Sequence, residues 1–336
     1  FMTNLLLLKE YLKGIYGKYE IYITPLVKFL LSLVTLWLIN GKLGYMSRLN
    51  SLSVVLVVAL LSSFLPMNFM IFMAACFILA HLYAFSMECA IVVLALFLVM
   101  FLLYFRFSPK DTVLVLLTPL CCSLQVPFVM PLAAGLLGTP ASAVSVGCGA
   151  VIYSILQYIS ESVSTLNAMD AENAMQRYRY VVDGILSNKT MLVMLLAFAI
   201  TVLVVYLLRR LAVNHSWTIA IIAGTLTAVA VLFFGDLMFD INISIVPTLI
   251  GAVASAVLAK LLQFFVFNVD YSRTEYVQFE DDEYYYYVKA VPKIAVTRPS
   301  KTVKQITSQK QNAGHSPRMK GSVVKKSDKS EMKRKV

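Results

Sequence analysis

The sequence predicts an all-α protein, a polytopic transmembrane helical bundle with short or re-entrant segments, followed by a small β-hairpin and a disordered cytoplasmic tail. Three observations predict it. Hydrophobic residues fill 59% of the 336 positions and charged residues only 14%, against about 45–50% and about 25% in ordinary soluble domains. Several stretches reach the roughly 20 apolar residues that a helix needs to cross a hydrocarbon core. Lys and Arg outnumber Asp and Glu by 29 to 18, and the excess collects at the C-terminal side.

Residues 1–20 form a cytoplasmic N-terminal segment. Lys9, Glu10, Lys13, Lys18 and Glu20 interrupt any apolar run there, which argues against a cleaved signal peptide. The transmembrane domain then occupies 21–268, with six long spans at 21–40, 86–105, 141–160, 190–208, 216–235 and 243–268. The third opens with Ala141, Ser142, Ala143, Gly147, Gly149 and Ala150, small residues that let helices approach closely in lipid.

Four shorter apolar pieces lie between these spans, at about 52–65, 67–83, 112–124 and 126–138. Pro66 divides the first pair, and Gln125, Pro127 and Pro131 mark the second, because proline removes a helix hydrogen bond. Interrupted backbone inside a bilayer must be shielded by protein or water. The pieces are therefore short tilted helices or hairpins that turn inside the membrane. Residues 52–105 and 112–160 each read as short piece, proline break, short piece and longer helix. Three segments per unit would start the second unit on the opposite side, the inverted repeat that many transporters use.

Basic residues near span ends set the orientation. From Val288 onward fourteen Lys or Arg stand against Asp328 and Glu331, which places the tail in the cytoplasm. Counting back, Arg209 with Arg210, and Arg106 with Lys110, also fall inside. The loop 161–189 falls outside, and the N-terminus inside. Lys42 and Arg48 are the discordant pair, facing outward. The expected location is a plasma membrane, with a bacterial source preferred.

The stretch Pro119 to Gly149 concentrates the residues that could form a substrate pathway: Gln125, Pro127, Pro131, Gly135, Gly138, Thr139, Pro140, Ser142 and Ser145. Helix breaks free carbonyls and amides that, with these hydroxyls, can coordinate a small polar solute or ion. The plainer reading, which the residues favour, is a tight turn at Gly138, Thr139 and Pro140 followed by small-residue packing. Lys28 and Lys260 sit close enough to cytoplasmic ends to snorkel. His81 and Glu88 fall near an outward turn, where they could couple protons but are more simply solvated.

Catalytic signatures are missing from the sequence. It contains no phosphate-binding glycine loop, HExxH zinc helix or Gly-x-Ser-x-Gly elbow, so it reads as no enzyme, with no cofactor and no metal site. An ATP-driven role would require a separate ATPase or another complex subunit. All five cysteines, Cys76, Cys89, Cys121, Cys122 and Cys148, lie in apolar segments and read as packing residues.

In the outward loop, Met169, Ala174, Met175, Tyr178, Val181, Val182 and Ile185 recur at helical spacing, as in an amphipathic helix lying on the membrane. Asn188 opens an Asn-Lys-Thr triplet beside the next span. Residues 269–292 form a Tyr-rich acidic juxtamembrane segment, where Tyr276 to Phe279 and Tyr284 to Val291 flank an acidic turn as in a hairpin. Tyr284, Tyr285, Tyr286 and Tyr287 also resemble a phosphorylation site. Residues 293–336 form a basic tail of disordered composition. It would attract anionic lipid headgroups or an acidic cytoplasmic protein, with nucleic acid disfavoured.

Two functional readings follow. One is a permease-like transport component with a small-solute pathway at the broken helices 119–149. The other is a non-catalytic membrane scaffold that recruits cytoplasmic partners through the tail.

Overall fold

The computed structural model describes residues 2–168, 174–211, 213, 215–266, 275–280 and 285–290. They fall into two units, Phe1–Tyr271 and Ser272–Val336. The first unit is helical, in the order α1 Met2–Lys42, α2 Leu52–Phe64, α3 Met67–Phe85, α4 Met87–Phe107, α5 Thr112–Ser123, α6 Val129–Leu137, α7 Ser142–Ala168, α8 Ala174–Leu186, α9 Lys189–Arg209, α10 Ser216–Phe239 and α11 Ile245–Val266. The second contains two antiparallel strands, β1 Glu275–Glu280 and β2 Tyr285–Ala290, with Glu275 opposite Ala290 and Glu280 opposite Tyr285. Tyr284 and the tail from 291 lie outside the described residues.

Seven helical stretches among the described residues are long and apolar enough to cross a membrane, so the chain is an integral membrane protein by length and composition. The sequence suggested six. The additional one is α3, which continues beyond residue 83 to Phe85, where Ser86 turns the chain and its hydroxyl accepts the Cys89 N–H to start α4. α1 starts earlier than the first span read from sequence, and its backbone leaves helical geometry at Tyr19.

The helices build two hydrophobic clusters. One gathers Leu36, Ile78, Leu82, Val93 and Leu156 from α1, α3, α4 and α7. The other gathers Phe128, Leu132, Phe198, Val202 and Ile221 from α6, α9, α10 and the chain entering α6. Phe128 and Phe198 meet edge to face at 6.4 Å between ring centres, the arrangement aromatic quadrupoles prefer. Helices α5 and α7 contribute to both clusters and pack on each other. They form the seam where the candidate site lies.

The ends of the bundle can be assigned from hydrogen bonds. At one end, Lys42 Nζ donates to Gln157 Oε1 at 3.0 Å, and Asn40 Nδ2 donates to Leu49 O at 3.0 Å. At the other, Tyr104 Oη lies within 3.1 Å of Asn68 Oδ1, Pro109 O and Thr112 Oγ1. α3 thus runs the height of the bundle, from Asn68 at the second end to His81 at the first. α2 comes down to Leu65, whose carbonyl accepts from Lys28 Nζ at 3.2 Å. The helices of the two similar stretches, α2–α4 and α5–α7, pack differently, since α5 lies on α7 whereas α2 lies on α1.

His81 differs from the solvated residue read from sequence. It is fully buried, accepts the Met46 N–H at Nδ1 (3.2 Å) and meets Asn40 Oδ1 through Nε2 at 2.8 Å. That pattern fixes the neutral tautomer with its proton on Nε2 and holds loop 43–51 onto α1 and α3. Glu88 is bonded to Ser86 Oγ at 2.5 Å instead. The loop's left-handed residue is Gly44, at φ 59°, just beyond the end of α1, a position that favours glycine.

Helix α8 also departs from expectation. It packs on α4 and α7, burying Val181 and Ile185 while Met175 and Tyr178 stay exposed. Part of its apolar stripe therefore faces protein; Met169 lies outside the described residues. Asn188 caps α9, its side chain accepting the Met191 N–H at 3.0 Å.

Replacing His81 by leucine leaves the Met46 N–H without its acceptor. We expect a loss of about 1–3 kcal/mol, read as a lower Tm for the purified protein in detergent. Glu88→Gln should move Tm little.

Candidate functional site

At about 1.5 Å per residue, α5 is roughly 18 Å long and α6 roughly 13 Å, both well short of a hydrocarbon core of about 30 Å. They form a hairpin that returns to the end where it began. Ser108, which caps α4 ahead of α5, and Ser145, in the first turn of α7, share a hydroxyl hydrogen bond of 2.6 Å. Entrance and exit are therefore adjacent.

Pro119 lies inside α5 without ending it. It has no N–H to donate to Val115 O, and that carbonyl faces α7 at Gly149, where an added Cβ would stand 2.9 Å from it and 2.5 Å from Thr118 Cβ. The missing side chain lets the two helices touch. Gln125 turns the hairpin in the left-handed region, at φ 62°, with its side chain exposed. Its carbonyl presses on α11 at Gly251, where a Cβ would come within 2.5 Å, and Pro127 lies beside the same glycine. Pro131 sits in the first turn of α6, where an absent N–H costs no internal hydrogen bond.

The exit of the hairpin is held from α9. Arg209 donates through Nη1 to Leu136 O and through Nη2 to Gly138 O at 2.8 Å, while its guanidinium lies over the Tyr206 ring at 5.1 Å. A helix C-terminus exposes unpaired carbonyls and partial negative charge, and the two-pronged guanidinium satisfies both. Gly135 lies against Val205 and the Val202 carbonyl, and Gly138 against Ser142.

Thr139 and Pro140 then lead into α7, which begins at Ser142. The Ser142 N–H donates to Thr139 O at 3.0 Å, and Ser142 Oγ accepts the Thr139 N–H at 3.1 Å. Ser142 Oγ reaching back to the Thr139 N–H is one half of a capping box, and Pro140, in the turn ahead of the helix, has no N–H that would need a partner. Thr139 and Pro140 remain exposed, while Ser142 and Ser145 are buried.

The nine residues proposed from sequence thus form one hairpin and its exit, but the hydroxyls of Ser142 and Ser145 already have protein partners. Tyr285, Tyr286 and Tyr287 lie in β2. The sequence reading missed the cluster beside the entrance, Asn68, Tyr104, Ser108 and Thr112. Thr112 Oγ1 donates to Asn68 Oδ1 at 2.7 Å, joining the start of α5 to α3. A lone asparagine two residues after Pro66 was the available signal.

Above this cluster is a narrow apolar slot between α1, α3, α4, α5 and α7, with a cavity volume of about 40 Å³. Ile39, Ile78, Met100, Leu116, Pro119 and Ile152 are among its walls. Its two hydroxyl-bearing residues are engaged, Thr35 donating to Leu31 O at 2.8 Å and Tyr104 within the cluster. Among the described residues, no group of three or more His, Cys, Asp or Glu could hold a metal ion. Comparison with models of known families, with curated proteins and with solved structures gives no match.

Arg209→Met should remove both caps at the hairpin exit and lower stability by about 1.5–3 kcal/mol, the range for hydrogen bonds to charged groups. Arg209→Lys keeps the charge without the planar fork and should recover only part of the loss. Thermal unfolding in detergent reads both variants.

Proposed function

We propose that the chain is the membrane-embedded component of a transport system, with the α5–α6 hairpin as the part that opens the pathway. The observation that carries this reading is the return of the hairpin to its starting end, with its turn against α11 at Gly251. Non-helical backbone at membrane depth is tolerated where protein covers it or where it lines a water-filled cavity, and interrupted helices mark the substrate sites of many transporters. Gln125, Thr139 and Pro140 offer the exposed positions of the pathway, and Ser142 and Ser145 the hydroxyls that a solute would take over from Thr139 and Ser108. Energy would come from a separate ATPase or another subunit.

The orientation proposed with it puts the Arg209 end, with Arg106 and Lys110, and both termini in the cytoplasm of a plasma membrane. The β1–β2 hairpin and the basic tail would then face anionic headgroups or an acidic partner.

Single cysteines at Gln125, Thr139 and Ser145, in a background with the native cysteines replaced, test this reading against membrane-impermeant thiol reagent applied from each side. Labelling of Gln125→Cys together with Thr139→Cys from one face is the expected result. Protection of all three from both faces overturns the pathway, and the scaffold reading then gains if deleting 272–336 abolishes function.

A further inference from the structure

The slot beside α5 cannot coordinate a polar solute, because its walls are apolar and its hydroxyls already bonded. Its surroundings indicate a different occupant. On the outer side of α3 and α4, a second and larger apolar hollow of about 280 Å³ runs along Phe72, Leu94, Leu98 and Phe105. Those four side chains are 45–58% exposed, and they belong to two of the membrane-crossing helices, so the hollow is continuous with the bilayer-facing surface. Ala75, Phe97 and Phe101 line both hollow and slot. One small residue and two aromatic rings thus form the wall between bilayer and interior.

We propose that one acyl chain of a bilayer phospholipid lies in the outer hollow and sends part of its length into the slot, admitted sideways between α3 and α4 past Phe101. An apolar cavity stays dry, so leaving this one empty forfeits the dispersion contacts of its walls. A neighbouring acyl chain restores those contacts without bringing a polar group out of water. The headgroup stays in the interface, and the chain lies across Phe101 into the space bounded by Ile78, Met100 and Ile152. This site does not depend on the hairpin moving a solute, and the two ideas fail separately.

The test reconstitutes the full chain into phosphatidylcholine vesicles doped with a phospholipid that carries a diazirine at mid-chain, followed by illumination and peptide mapping. Adducts on Ile78, Met100 or Ile152 are expected, together with adducts on Val253, which is 65% exposed on α11 and reports ordinary bilayer contact. Ala75→Phe and, independently, Ile152→Trp should abolish the interior adducts and keep those on Val253. Two results overturn the proposal: wild-type adducts on Val253 with none on the interior residues, or interior adducts that persist undiminished in a variant still labelled at Val253. Should one variant lose the Val253 adduct through misfolding, the other variant and the wild-type map decide. Solute flux plays no part in the readout.

Discussion

The last carbonyls of a helix have no partner within that helix, and hydrocarbon supplies none. This bundle answers with basic side chains sent from elsewhere in the chain. Lys28 bonds Leu65 O at the end of α2, Arg177 bonds Leu166 O near the end of α7, and Arg209 bonds Leu136 O and Gly138 O at the end of α6. Lys9 bonds Phe264 O near the end of α11 at 2.8 Å. Each bond combines a charge-assisted hydrogen bond with a cation at the negative end of a helix dipole. Because donor and acceptor belong to different helices, every such cap also fixes how two helices lie together.

That constraint explains what could be read from the sequence and what could not. Hydrophobic length alone located the long spans, and the turn at Gly138, Thr139 and Pro140 was legible because the break that glycine and proline make in a helix is local. α3 looked short because its end at Phe85 is set by the turn at Ser86, which hydrophobic length does not reveal. Whether α5 and α6 cross the bundle or return was not legible, since the answer lies in bonds between residues far apart in sequence, Ser108 with Ser145 and Arg209 with Gly138. Lys28 read as a snorkelling side chain for the same reason: its acceptor lies 37 residues away. His81 was misplaced because nothing local announces that Asn40 and the Met46 amide converge on its ring.

α5 has two neighbourhoods, and its composition reflects both. Val115, Leu116, Pro119 and Leu120 turn toward the apolar slot, while Cys121 and Cys122 join the cluster around Phe128. Gly149 lets α7 press against the α5 carbonyl that Pro119 cannot pair. Small residues therefore act here as spacers that set helix separation, whereas the hydroxyls at the helix ends set direction.

The Arg209 clasp also imposes an order on biogenesis. The guanidinium lies 73 residues downstream of the Leu136 carbonyl it satisfies, a distance that takes roughly 4–15 s to translate at about 5–20 residues per second. Throughout that interval the hairpin has left the ribosome while its clasp has not been made. Until α9 arrives to close it, the bundle is half-finished.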